Sequence, residues 1–152
     1  MTLTKEEVDR RVALLKRLKT TLGQQRDKFR DYLKVLDAEQ TSIENSASET
    51  LRAQVELEEQ LVVEIHAIQK VIDPLEAVLR ESYDVSDTEV AELRSTLTDL
   101  QTQVSEKSKE NRGLLEKTMA ALSGEILRLR PLRGRNPYAG AKQSSVLVDI
   151  TT

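Results

Sequence analysis

Leu61-Val-Val-Glu-Ile65-His-Ala-Ile68-Gln-Lys-Val-Ile72-Asp-Pro74-Leu75-Glu-Ala-Val-Leu79 sets its apolar anchors at steps of four and three. Leu61, Ile65, Ile68, Ile72, Leu75 and Leu79 therefore share one face of an α-helix. Leu51 and Val55 extend the seam backwards. Pro74 lies inside it; its ring conflicts with the Lys70 carbonyl and removes one ladder bond. The seam stays in phase across the proline, so the spacing predicts one kinked helix over about 48–80.

Upstream, a first helix over about 5–39 starts at Thr4 and Glu7, which have capping-box spacing, with Leu3 and Val8 at the staple positions. Val8, Leu15, Leu22, Phe29, Leu36 and Ile43 follow at a strict interval of seven, joined by Val12 and Leu33. Lys19 and Arg26 interrupt the companion row, which predicts a narrow seam that is wettest between them. Gly23 reads as a tolerated surface glycine. No Gly or Pro separates the first helix from the second. The polar run Thr41-Ser-Ile-Glu-Asn-Ser46-Ala-Ser48-Glu49 predicts a turn between 39 and 48, with Thr41–Glu44 and Ser46–Glu49 as candidate capping boxes. One uninterrupted helix through this stretch is the alternative.

Downstream, Ser86 and Glu89 have capping-box spacing, with Val85 and Val90 as a staple. A third helix over about 86–130 carries Val90, Leu93, Leu97, Leu100 and Val104. The stripe lapses through Ser105-Glu-Lys-Ser-Lys-Glu-Asn-Arg112 and resumes at Leu115, an eleven-residue step that implies a local change of supercoil. Leu115, Met119, Leu122, Ile126 and Leu129 then form a final apolar face. The chain next enters Arg128-Leu-Arg130-Pro131-Leu-Arg133-Gly134-Arg135-Asn136-Pro137-Tyr138-Ala-Gly140, with four arginines and no acid. Residues 131–152 read as a flexible basic tail. Arg128 and Arg130 complement a helix C-terminus; Arg133 and Arg135 lie past Pro131 and are candidate docking residues, with Tyr138 as a lone aromatic beside them. Val146-Leu-Val-Asp-Ile150 is strand-prone.

The 152 residues are 32% charged, 38% apolar and 3% aromatic, the composition of long packed helices in a single domain over 1–130. Half-polar helices of this length draw most of their stability from packing on one another. The expected fold is all-α: an elongated antiparallel helical bundle, a coiled-coil hairpin of three long helices with an irregular C-terminal tail. The third helix is the longest, so its face from Leu115 to Leu129 is the one expected to stay incompletely covered, and exposed apolar stripes mark binding surfaces.

The chemistry of an enzyme is missing from the sequence. There is no cysteine, which excludes disulfides, thiolate zinc sites and thiol catalysis. The single histidine, His66, flanks the second seam and reads as a satisfied or solvated imidazole. Glu56, Glu58 and Glu59 read as solvated helix surface. No glycine-rich phosphate loop is present, and neither a cofactor nor a metal is expected. The net charge of −3 argues against a nucleic-acid partner. The apolar runs are too short to insert in a membrane, and the polar start Met1-Thr-Leu-Thr-Lys-Glu-Glu carries no secretory signal. A cytoplasmic binding protein is the expectation.

The run Asn111-Arg-Gly-Leu114-Leu115, followed by Met119, Leu122, Leu129, Asn136-Pro-Tyr138-Ala-Gly140 and Val146-Leu-Val-Asp149, resembles the closing region of the FlgN family of flagellar export chaperones. The stretch from Glu56-Leu57-Glu58 through Ile65, Ile68 and Ile72-Asp-Pro74-Leu75-Glu76 is similar to the second helix of such proteins. The resemblance implies a chaperone that binds the disordered terminal segment of hook–filament junction (hook-associated) proteins and hands it to the type III export gate. It implies that Leu115, Met119, Leu122, Ile126 and Leu129 hold the cargo. It also implies that Tyr138, with Arg133 and Arg135, meets the gate, although the arginine cluster is heavier than is usual in the family. A monomer or weak homodimer is expected. The competing expectation is a structural coiled coil whose seams serve self-association.

Overall fold

The computed structural model describes the backbone of residues 2–82 and 86–133 and the side chains of residues 2–81 and 86–129. Among these residues the chain forms three helices: α1, Lys5–Glu44; α2, Ser48–Ser82; and α3, Thr88–Arg133. The fold is the expected all-α bundle, and its caps explain where each helix starts and stops.

α1 starts at the predicted box. The Glu7 N–H donates to Thr4 Oγ1 at 3.2 Å, and the Thr4 N–H donates to the Glu7 carboxylate at 2.8 Å, so two otherwise orphaned donors are satisfied reciprocally. The helix runs past the expected end at 39 and closes in a Schellman turn. The Ser46 N–H donates to the Ile43 carbonyl and the Ala47 N–H to the Ser42 carbonyl, which satisfies two carbonyls of the last turn. Ser46 takes the left-handed position, at φ 54°, where glycine is the usual occupant. The turn is therefore confined to 45–47, and the uninterrupted helix is excluded.

Both capping boxes expected in this stretch are absent. Ser46 ends α1 instead of starting α2, whose first bond runs from the Leu51 N–H to the Ala47 carbonyl. Thr41 lies inside α1 and donates its hydroxyl to the Asp37 carbonyl. At the start of α3 the cap is Asp87 rather than Ser86: Asp87 Oδ1 accepts the Val90 N–H at 3.0 Å. Val85, the expected staple partner of Val90, lies outside the described residues.

α1 is the central element, with α2 on one side and α3 on the other. α1 and α2 run antiparallel. Gln25 donates to the Ile65 carbonyl at 3.0 Å, Tyr32 to Glu58 at 2.7 Å and Ser42 to Gln54 at 2.8 Å. α3 returns parallel to α1. Its first residues meet Lys19, through ion pairs with Asp87 at 3.0 Å and Glu89 at 3.1 Å; further up, Asn111 donates to the Leu36 carbonyl at 2.8 Å. Arg94 and Glu76 bridge α3 and α2 at 3.0 Å.

Having two neighbours, α1 buries two rows. Leu22, Phe29, Leu36 and Ile43 are the row read from the sequence. Leu18, Gln25, Tyr32 and Glu39 are a second row, also seven apart, each no more than 1% exposed. This corrects the expectation of a wet zone between Lys19 and Arg26. Leu18, Leu22 and Gln25 are buried there, because Lys19 leans out to the α3 cap while the Gln25 amide finds a backbone carbonyl. Val8 and Val12, expected in the seam, are exposed: α3 begins opposite Lys19, so the first turns of α1 have no third helix to cover them.

α2 runs unbroken through Pro74, and the seam residues Leu61, Ile65, Ile72, Leu75 and Leu79 are buried as expected. α3 is unbroken through its polar stretch and Gly113 and ends at Arg133, beyond Pro131. The boundary expected at 130 therefore falls inside the helix; a proline at 131 removes one hydrogen bond from a last turn whose carbonyls are already largely unpaired.

Candidate partner-binding surface

The apolar stripe of α3 runs through the whole helix. Val90, Leu97, Leu100 and Val104 are buried, and so are Ser108 and Asn111. The steps from Val104 to Ser108, Asn111 and Leu115 are four, three and four residues. The eleven-residue gap read from the sequence is thus not a gap in burial. It is the same seam carried by two polar side chains, one of which, Asn111, donates to the Leu36 carbonyl.

What changes along α3 is the cover. From Asn111, which lies level with Leu36, α3 rises roughly 33 Å to Arg133, whereas α1 rises roughly 12 Å from Leu36 to Glu44 at ~1.5 Å per residue. α3 therefore overshoots the hairpin by about 20 Å. Leu115 and Met119 sit beside the last turns of α1 and are half-buried. Leu122, Ile126 and Leu129 lie beyond the end of α1 and are 50%, 53% and 47% exposed. Leu127, off the stripe, is also exposed. Tyr138 and Arg135 lie outside the described residues; Arg133 closes α3, and its side chain is also outside them.

The stretch just below the overhang holds a polar layer that the sequence reading did not find. Glu39 of α1 and Glu58 of α2 are both fully buried, with Tyr32 of α1 and Asn111 of α3 beside them. Tyr32 donates its hydroxyl to Glu58 Oε1 at 2.7 Å. Neither Glu39 oxygen meets a donor in good hydrogen-bond geometry. Burial is the main force that pushes the Glu39 carboxyl up to about 9; the neighbouring Glu58 carboxyl acts in the same direction, and the Asn111 amide opposes them. Glu58, grouped by sequence with Glu56 and Glu59 as solvated surface, is therefore a core residue, while its two companions are exposed. A signal was present: Tyr32 and Glu39 continue the seven-residue interval set by Leu18 and Gln25. His66, as expected, is exposed.

The start of α3 is held electrostatically. Asp87 is lowered by the Val90 backbone N–H and then by Lys19, and Lys19 is raised by Asp87 and then Glu89. Glu64, on the outer side of the hairpin, is lowered chiefly by Lys28. Among the described residues no group of three or more His, Cys, Asp or Glu side chains is placed to hold a metal ion, and no helix is long and apolar enough to cross a membrane.

A protein of Treponema pallidum (strain Nichols), described as an uncharacterized protein, is 39% identical over 147 residues, covering 96% of this chain and 94% of that protein. The chain belongs to the same family as this Treponema pallidum protein. The coverage on both sides means that the Treponema family shares nearly the whole length of the chain. No protein-family model matches it. No solved structure matches it either.

Proposed function

We propose that the protein is a FlgN-type flagellar export chaperone. It works in the cytoplasm, where it covers the disordered terminal segment of a hook–filament junction protein and delivers it to the export gate. The observation that carries this reading is the seam of α3, which continues in phase for three turns after α1 has ended, so that Leu122, Ile126 and Leu129 are about half exposed, with no helix among the described residues to cover them. The likeness of this same stretch to the closing region of FlgN chaperones supports it as well.

The physics suits reversible capture. A cargo segment that folds as an amphipathic helix takes the position α1 vacates, and helix-in-groove docking needs only anchors at three- and four-residue steps. Each half-exposed Leu or Ile that becomes covered contributes roughly 1 kcal/mol. Leu115 and Met119 extend the surface down to the hairpin. Ordering the cargo costs a few kcal/mol, so the complex stays releasable. Tyr138, Arg133 and Arg135 are assigned to the gate. The protein acts by occupancy and catalyses no reaction.

Calorimetric titration of the full chain with the terminal segment of a hook-associated protein tests this. One-to-one binding that disappears in the double variant Leu122→Asp, Ile126→Asp, with helical circular dichroism unchanged, is the expected result; binding that survives both substitutions removes the assigned face. The same stripe supports a second reading, self-association, which predicts a stable dimer by sedimentation at micromolar concentration that the same double variant converts to monomer.

A further inference from the structure

The buried layer of Glu39, Glu58, Tyr32 and Asn111 has no part in cargo capture as described, yet each of the three helices contributes to it. Two carboxyl groups on facing helices are fully withdrawn from water. The donors supplied to them are few: the Tyr32 hydroxyl serves Glu58, and the Asn111 amide, which also donates to the Leu36 carbonyl, is the smallest of the influences on Glu39 and does not offset its burial. Among the described residues, the influences on Glu39 are its burial, Glu58 and Asn111. On α3, Lys107 is turned to Asp37 and Gln40, and Arg112 is half-buried next to Asn111. Two like charges in such a layer cannot both persist, so one carboxyl must keep a proton to donate to the other.

The position of the layer decides which part of the fold feels that proton. On the hairpin side Ile43, one turn after Glu39, and Val55, one turn before Glu58, are buried, and the Schellman turn follows at 45–47. On the α3 side Asn111 meets it, and one turn above Asn111 the helix is already half-exposed at Leu115. The easiest path for water is therefore the peeling of α3 from its upper end down to Asn111. We propose that the Glu39–Glu58 pair shares one proton that acts as a latch, holding the upper half of α3 against the hairpin, and that losing it frees α3 from Asn111 upwards.

Folding then takes up a proton. The folded state binds it between the ordinary glutamate range and about pH 9, whereas the unfolded chain does not. Stability is accordingly highest at the acid end of that window and falls as pH rises, by up to about tenfold per pH unit in the unfolding constant. Glu39→Gln places a permanent amide donor opposite Glu58 and should abolish this slope.

The test is a carboxyl ¹³C NMR titration of the full-length protein from pH 5 to 10, with Glu39→Gln used to assign the signal. The expected result has three parts: the Glu39 carboxyl titrates well above every other glutamate; the Asn111 side-chain amide and the backbone amides of 112–118 shift with the same midpoint; those of 90–104 stay still. A Glu39 that titrates below pH 6 overturns the shared proton. A high-titrating Glu39 with 112–118 unmoved, or with 90–104 moving equally, overturns the latch. Urea unfolding gives an independent reading: the pH slope of the wild type should be lost in Glu39→Gln, and parallel profiles contradict the proposal.

Discussion

The two halves of α3 carry one pattern and meet two fates. From Val90 to Asn111 the stripe faces α1 and is buried; from Leu115 to Leu129 it keeps the same phase and comes progressively into solvent. The difference does not lie in α3. If anything, the covered half ends in the more polar filling, Ser108 and Asn111, and the uncovered half is the more aliphatic. The difference lies in the partner, whose end is fixed by a three-residue turn at 45–47. A helix face is left uncovered here because its neighbour stops.

The largest expected effect comes from treating the halves alike. Leu100→Ala, in the covered half, should cost about 2–5 kcal/mol, while Leu122→Ala should change stability by less than about 0.5 kcal/mol. Urea unfolding of both variants checks this; equal losses would mean that the overhang is packed against something in the free protein. Next is the layer at the boundary. Tyr32→Phe keeps the ring and deletes the donor to Glu58, leaving a buried carboxylate oxygen without its hydrogen bond, at a cost of about 1–3 kcal/mol. A variant as stable as wild type would show that the hydroxyl is dispensable to the layer.

The turn that sets the boundary offers a smaller and opposite effect. Ser46→Gly relieves the left-handed backbone at φ 54° and should raise stability by about 0.5–1 kcal/mol. Thermal unfolding reads the gain, and a loss would mean that the Ser46 side chain matters to the turn. The smallest effect concerns the foot of α3. Asp87 is held below its ordinary value by the Val90 N–H and by Lys19. Its contribution is therefore present above the ordinary aspartate range and lost as pH falls through its lowered folded value. Stability measured from pH 5 down to pH 2 should fall less steeply in Asp87→Asn than in the wild type.

Much of this molecule was legible in its sequence. The seam of α2 and the row from Leu22 to Ile43 gave the helices, and the capping box at Thr4 gave the first start. What stayed hidden shares one cause: buried positions filled by polar residues. Gln25, Tyr32 and Glu39 complete a heptad row that a search for apolar side chains passes over. Ser108 and Asn111 turn an unbroken seam into an apparent gap, and Glu58 looks like its exposed neighbours. Gln25, Tyr32, Glu58 and Asn111 are tolerated because a specific partner exists across a helix interface, and partners are a property of the fold. The misplaced caps have a related origin, since Ser46 and Asp87 are assigned by how the chain turns. The candidate surface from Leu115 to Leu129 was visible as a pattern; which of its residues are free depends on where α1 ends.

Hydrogen exchange of the full-length protein, alone and with the terminal segment of a hook-associated protein, is the most direct measurement of the central claim. The account predicts fast exchange from Met119 to Leu129 in the free protein, slow exchange from Val90 to Val104 in both states, and marked slowing of the upper segment when the cargo is added. Upper-half amides that exchange as slowly as the lower half without cargo, or that do not respond to it, would contradict the account.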